Sequence, residues 1–270
     1  MKKYFVAFDS DGCVFDAMEP KHKLCFGPAA VSVFGFEDFK DEFLRLWNDI
    51  NLYSCTRGIN RFLGLIDSFD KIKKTGRLVP DLEPLVKWTK QTDMLSAKSL
   101  ENYVKNTDSP VLKKVLQWSD AVNSLIEQTA ESIVPFENAK SAFEIIANHA
   151  DIAAVSSANT AAITREWEKF GFSKFAVEIC GQEKGTKAQC LSKFKNSGYN
   201  HMLMVGDAPG DKKAAEESGA LFFPILPGNE ERSWEALRDK YFPQFLNGMY
   251  DTNNEYIKDF DKLCKTEVTL

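Results

Sequence analysis

The strand signals of this chain fall into two unequal groups, separated by a long stretch that carries none, and this interruption restricts the folds open to it. An apolar run, Tyr4-Phe5-Val6-Ala7-Phe8, stands alone near the start and ends in Asp9-Ser10-Asp11-Gly12. A short apolar run closed by a turn glycine is the pattern of a strand buried on both faces, as in a parallel sheet. From about Lys21 to Ser132 no convincing strand follows. The segments 39–50, 59–75, 82–89, 96–106, 111–117 and 121–132 instead place apolar residues at helical spacing with polar faces between them.

Beyond Pro135 the pattern becomes a regular alternation. Helices are expected over 139–148, 160–170, 186–195 and 211–217, and strands over 152–155, 177–180, 202–205 and 221–224. Repeated strand-helix-strand units require a parallel sheet. The first strand can find partners only in this second group, so the helical stretch is an insertion within one domain. The expected organisation is an α/β, Rossmann-like parallel-sheet core over 1–17 and 135–270, with an inserted all-helical cap over 18–134. The stretch 16–23 reads as a solvent-facing hinge into the cap, and Val134-Pro135-Phe136 as the return hinge. Residues from Trp234 to Cys264 read as two amphipathic helices packed on the core, with Trp234, Tyr241, Phe242, Phe245 and Tyr256 as packing residues.

The 270 residues are 44% apolar and 27% charged with a formal net charge of −5, which suits a soluble globular chain and not a general nucleic-acid surface. The start shows no signal-peptide pattern, and no apolar stretch is long enough to span a bilayer, so a cytoplasmic location without membrane or nucleic-acid partners is expected. Cys13, Cys25, Cys55, Cys180, Cys190 and Cys264 lack paired metal-type spacing and read as reduced thiols. Cys13 lies beside the first acidic pair and reads as a small buried filler.

Ligands of open parallel sheets bind beyond the carboxyl ends of the strands. Four polar clusters stand there: Asp9-Ser10-Asp11 after the first strand, Ser156-Ser157-Ala158-Asn159 after 152–155, Lys184-Gly185-Thr186-Lys187 after 177–180, and Asp207 to Asp211 after 202–205. Each has a plain alternative. Aspartates after a strand also form turns, Ser156 or its neighbours Ser157 and Asn159 also suit a helix N-cap, and Asp211 also suits a helix N-terminus. Lys184 competes with Lys187 for any anion-binding role.

In this order the clusters resemble the four motifs of the haloacid dehalogenase superfamily, in its phosphatase and β-phosphoglucomutase-like branch with a helical cap. The resemblance implies that Asp9 is the nucleophile forming an aspartyl-phosphate and that Asp11 is the general acid/base. Ser156 and Lys187 would hold phosphoryl oxygens, with Ser157 beside them. Asp207 and Asp211, with Asp9 and the backbone carbonyl of Asp11, would hold Mg²⁺. The cap loop Ser54 to Arg61 resembles the substrate-specificity loop of that branch, so Arg57 and Arg61 become candidate substrate-binding residues, Arg61 matching the family arginine better.

These residue types suit the chemistry. Two unit charges about 4 Å apart interact by roughly 4 kcal/mol at an effective dielectric near 20, so an anionic nucleophile needs neutralising before it approaches a phosphoryl group. Mg²⁺ favours oxygen ligands, a lysine adds a compact positive charge, and the insertion is expected to serve as a lid. The expected activity is Mg²⁺-dependent hydrolysis of a small phosphorylated metabolite by a monomer or homodimer. The alternatives are a β-phosphoglucomutase-like phosphomutase and, from another class, a non-catalytic module binding a phospho-ligand or protein. A phosphonatase is disfavoured because that reaction requires an additional cap lysine, for which this sequence offers no match, and a dehalogenase is disfavoured by Asp11, since dehalogenases of the family lack that second aspartate.

Overall fold

The computed structural model describes residues 1–129 and 131–265. They divide into two compact units, one comprising residues 1–16 and 134–264 and the other centred on residues 17–133. The chain begins with β1 (Tyr4–Phe8), whose residues Phe5 to Phe8 are fully buried.

The helical unit follows. It contains α1 (Met18–Pro20), α2 (Gly27–Phe34), α3 (Lys40–Leu52), α4 (Arg61–Lys74), α5 (Glu83–Gln91), α6 (Ala97–Val104) and α7 (Pro110–Thr129). A π-helical segment, Lys21–Phe26, joins α1 to α2 without a break. The continuous helix over 18–34 differs from the expected hinge. Gly27-Pro28 looks like a breaker in sequence, but proline is tolerated in the first turn of α2. Gly27 is where a Cβ would meet Leu44 Cδ2 and Trp47 Cδ1 of α3, so its role is close helix approach. Lys21 and His22 are correspondingly buried, not solvent-facing. The two short helices expected over 111–132 are one, α7, because Trp118 and Ser119 turn inward: both are fully buried, and Trp118 Nε1 donates to Phe26 O at 3.1 Å. Aromatic contacts knit this core, with Phe62 edge-on to Trp88 and Trp47 edge-on to Trp118.

The other unit resumes with α8 (Ala139–His149), β2 (Ala150–Val155), α9 (Thr160–Lys169), β3 (Ala176–Cys180), α10 (Lys187–Asn196), β4 (His201–Gly206), α11 (Pro209–Ser218) and β5 (Leu221–Pro224). The five strands form one parallel sheet in the order β3-β2-β1-β4-β5. The expected α/β core is therefore observed. Crossovers leave β1 in opposite directions toward β2 and β4, which makes the β1/β4 edge the topological switch point of the sheet. Register aligns the strand ends there: Phe8 pairs with Ala154 of β2 and with Val205 of β4.

The C-terminal part has α12 (Glu230–Ala236), α13 (Phe242–Leu246) and α14 (Glu255–Leu263), a π-helical turn at Leu237–Tyr241 linking the first two. Through that turn α12 and α13 run unbroken over 230–246, so with α14 the segment forms the two helical stretches expected. Trp234, Tyr241, Phe242 and Phe245 are buried and Tyr256 is half-buried. Among the described residues no helix is long and apolar enough to cross a membrane.

Candidate active site

Two tryptophans hold the loop after β1. Trp167 Nε1 donates to Ser10 Oγ at 3.2 Å and Trp234 Nε1 donates to Cys13 O at 3.0 Å, both in buried surroundings. The loop turns through Gly12, whose φ of 81° favours glycine, and Gly12 N donates to Phe15 O. Asp9 N donates to Val205 O of β4, so Asp9 continues the sheet register before its side chain leaves the strand. Its Oδ1 accepts from Ser10 N at 2.8 Å.

Across the switch point, β4 ends in Gly206 and delivers Asp207, and α11 begins at Pro209 with Asp211 in its first turn. Asp211 Oδ2 accepts from Ala208 N at 3.0 Å. A Cβ on Gly206 would collide with this carboxylate, so a glycine at the end of β4 is the local condition for Asp211 to face inward. The alternative of a purely helix-terminal Asp211 therefore does not describe it. Asp211 is fully buried and grouped with two other acids.

Oxygens of Asp9, Asp207 and Asp211 lie within 4.8 Å of one another, and all three residues are buried. Lys187, the first residue of α10, enters this cluster with its Nζ 2.8 Å from Asp9 Oδ2 and 2.5 Å from Asp211 Oδ1. The helix that carries it is fixed by a capping box between Thr186 and Gln189. Burial opposes the Lys187 ammonium, but Asp211 and Asp9 outweigh it, and its pKa stands above the ordinary lysine value. Burial pushes the Asp211 carboxyl up to about 7; Lys187 pulls against this and the charges of Asp9 and Asp207 add to it.

Of the two competing lysines, the structure places Lys187 among the acids. Lys184 is on the surface and pairs with Glu178 Oε1 at 2.9 Å. Ser156 is buried at the end of β2, where its N donates to Cys180 O and its Oγ accepts from Ala158 N at 3.2 Å. The N-cap of α9 is Asn159, which accepts from Ala161 N and Ala162 N, so capping does not account for Ser156. Ser157 is exposed. Asp11 is half-buried and contributes no carboxylate to the three-acid cluster; its expected metal contact was through the backbone carbonyl. Cys13 is buried, with desolvation and then the charges of Asp207, Asp9 and Asp211 holding its thiol well above the ordinary pKa, which suits a packing role.

Arg57 and Arg61 belong to the helical unit. Arg57 Nη1 donates to Leu52 O at 2.9 Å, and Arg61 Nη1 donates to Asn123 Oδ1 at 2.8 Å while its guanidinium lies over the Phe26 ring. His22 of the same unit had no spacing signal in the sequence, and only its burial and contacts single it out.

The donor set fits a hard divalent cation: three buried carboxylates with a shared focus are an oxygen-only site of the kind Mg²⁺ takes. Lys187 supplies positive charge to the same acids.

No family model matches the sequence, and no curated protein matches it. Solved structures do share the fold. A protein described as a predicted phosphoglycolate phosphatase from Haemophilus somnus 129PT is 16% identical with a TM-score of 0.54, over 82% of this chain and 85% of that one. A proposed haloacid dehalogenase-like hydrolase from Bacteroides fragilis is 13% identical with a TM-score of 0.55, over 86% and 93%. A proposed phosphoglycolate phosphatase from Lactobacillus delbrueckii subsp. bulgaricus is 13% identical with a TM-score of 0.51, over 83% and 86%. The chain has the fold of the haloacid dehalogenase superfamily.

Proposed function

We propose that this protein is a Mg²⁺-dependent phosphatase that hydrolyses the phosphate ester of a small metabolite through an aspartyl-phosphate on Asp9. The observation that carries this reading is the buried cluster at the β1/β4 switch point, in which Lys187 bridges Asp9 and Asp211 beside Asp207. An acid pair of purely structural use has no need of two further acids and a lysine focused on it. Two of the structures sharing the fold carry the description of phosphoglycolate phosphatases, which supports phosphate-ester hydrolysis.

In this reading Asp9, Asp207 and Asp211, with the Asp11 carbonyl, hold the cation. Bound there, Mg²⁺ supplies charge neutralisation for the phosphoryl group. The protein's own groups carry the steps. Asp9 attacks phosphorus and the ester P–O bond breaks, the leaving oxygen taking a proton from Asp11. Asp11 then accepts a proton from the water that cleaves the acyl phosphate, releasing inorganic phosphate and restoring Asp9. Lys187 and Ser156 hold the phosphoryl oxygens, and their positions on α10 and at the end of β2 give a pre-set geometry, the main source of catalysis in phosphoryl transfer.

The test is release of inorganic phosphate from p-nitrophenyl phosphate and from a panel of phosphorylated metabolites, with Mg²⁺ and with EDTA. Hydrolysis requiring Mg²⁺ and abolished in Asp9→Asn is expected. Hydrolysis unchanged by Asp9→Asn overturns the mechanism, and no hydrolysis across the panel overturns the function.

A further inference from the structure

Two of the loops at the carboxyl end of the sheet are tied together by a side chain that the chemistry of the three acids does not use. Strands β2 and β3 are neighbours and Val155 pairs with Cys180, so Ser156 and Gly181 leave the sheet side by side. Ser156 N donates to Cys180 O and Gln182 N donates to Ala158 O, both at 2.9 Å. A Cβ on Gly181 would run into the backbone of Thr160, so a glycine at this position lets the two loops touch.

Glu183 closes this contact. It lies in the short turn Gln182–Lys184 after β3, yet its carboxylate reaches the first turn of α9. Oε2 accepts from Thr160 N at 2.9 Å and from Thr160 Oγ1 at 2.5 Å, while Oε1 accepts from Asn159 Nδ2 at 2.6 Å and from Gln182 Nε2 at 3.3 Å. Asn159 Oδ1 receives Ala161 N and Ala162 N, so the first three amides of α9 all have acceptors, one of them supplied by the other loop. An ionised carboxylate there also faces the positive end of the helix. Burial opposes its charge, but the hydrogen bonds from Thr160 outweigh burial and hold the Glu183 carboxyl below its usual range.

A helix cap needs only a residue beside the helix, as Asn159 is. Glu183 stands 23 residues beyond Thr160, and what it adds is a link between the loop bearing Ser156 and the loop bearing Lys187. The Lys187 side of that link is short, because Thr186 already begins the capping box of α10, with Thr186 N donating to Gln189 Oε1 at 2.8 Å. We infer that Glu183 is a positioning residue that clips these two loops into one phosphoryl-binding unit, fixing Ser156 relative to Lys187. The inference rests on the phosphatase reading for the roles of Ser156 and Lys187. Its effect is geometric, and a small misplacement of groups that hold a reacting substrate slows a reaction strongly.

Glu183→Gln tests the clip, because it keeps the size of the side chain but puts an NH₂ group where donors already converge. Binding of inorganic phosphate in Mg²⁺, followed by phosphorus NMR titration, and hydrolysis of p-nitrophenyl phosphate are measured in wild type, Glu183→Gln, Ser156→Ala and the double variant. Glu183→Gln should raise the phosphate Kd and lower kcat/KM, each by tenfold or more. Added to Ser156→Ala, the same change should alter either quantity by less than threefold, since a residue acting through the placement of Ser156 has nothing left to place. Loss of a helix cap as such would lower stability in urea and leave the two effects additive. Thr160→Val, which removes the shortest of the four hydrogen bonds and keeps the backbone amide, carries the same test from the other loop and should shift both constants threefold or more in the same direction. Additive effects, or constants within twofold of wild type in the folded variants, overturn the inference and leave the phosphatase reading standing. A wild type that binds phosphate but hydrolyses no ester overturns that reading, and the cycle in Kd then decides the clip. A wild type that neither binds phosphate nor releases it overturns both.

Discussion

Lys187 Nζ lies 2.8 Å from Asp9 Oδ2, so the first residue of α10 neutralises the carboxylate that follows β1. The same ammonium reaches Asp211, and one positive charge thus serves two buried acids. Without it three buried carboxylates would stand together lacking this positive charge, an arrangement that low dielectric makes costly.

Lys187→Met should lower kcat/KM for p-nitrophenyl phosphate by a hundredfold or more, roughly 3 kcal/mol of transition-state stabilisation. Lys184→Met should remain within about twofold of wild type, because Lys184 pairs with Glu178 at the surface. Steady-state kinetics on the two variants side by side distinguishes them, and equal losses would contradict the assignment of Lys187.

Gly206→Ala should remove Mg²⁺-dependent hydrolysis while the far-ultraviolet circular dichroism spectrum stays native. The added methyl collides with the Asp211 carboxylate and with its Cβ, and α11 is not free to withdraw because Asp211 is tied to Ala208 N in its first turn. A variant with wild-type activity and Mg²⁺ requirement would show that Asp211 can be displaced without consequence.

The contribution of Asp211 to stability should depend on pH in the metal-free protein. Its folded pKa, about 7, lies above the ordinary 3.8, so between these values the native state keeps a proton that the unfolded chain has lost. Stability therefore falls as pH rises through this window and levels off above about 7. Lys187 does not oppose the trend: its raised pKa adds stability that is fully present below the ordinary 10.5. Melting temperatures in EDTA from pH 4.5 to 8, taken as wild type minus Asp211→Asn, should decline with pH; a flat or rising difference would refute the pKa assignment.

Asn159→Ala should cost about 1 kcal/mol of unfolding free energy, the usual value of an N-cap, and leave kcat within a few-fold. Ser156→Ala should do the reverse, sparing stability and lowering kcat by tenfold or more. Urea unfolding and kinetics on both variants separate helix capping from phosphoryl binding at the end of β2, since Asn159 receives Ala161 N and Ala162 N of α9 whereas Ser156 Oγ receives Ala158 N ahead of the helix.

Much of the fold was legible because its strands are short apolar runs ended by acids, hydroxyls or glycine. All five strands fall within two residues of their expected bounds, β1 and β5 with no difference at all. The helices that departed from expectation share one cause. Gly27-Pro28 and Trp118-Ser119 look like interruptions when only local propensity is weighed, yet burial against neighbouring helices carries the chain through both. The π-helical segment at Lys21–Phe26 has no sequence signal at all, which is why Lys21 and His22 read as solvent-facing.

The order of motifs along the chain determined which residue types stand at strand ends, because hydrophobic patterning places strands and a parallel sheet gathers their carboxyl ends on one side. It therefore named Asp9, Ser156, Asp207 and Asp211 as candidates; between Lys184 and Lys187 the residues alone left the choice open and the family resemblance favoured Lys187. The tertiary structure separates the two lysines, since Lys184 ends the short turn at 182–184 and pairs with Glu178, whereas Lys187 opens α10 and reaches Asp9 and Asp211. Likewise only packing turned Asp211 from a helix terminus into a buried acid, through the space that Gly206 leaves for it. Interactions between residues far apart in the chain depend on how close folding brings them, and sequence carries no measure of that distance.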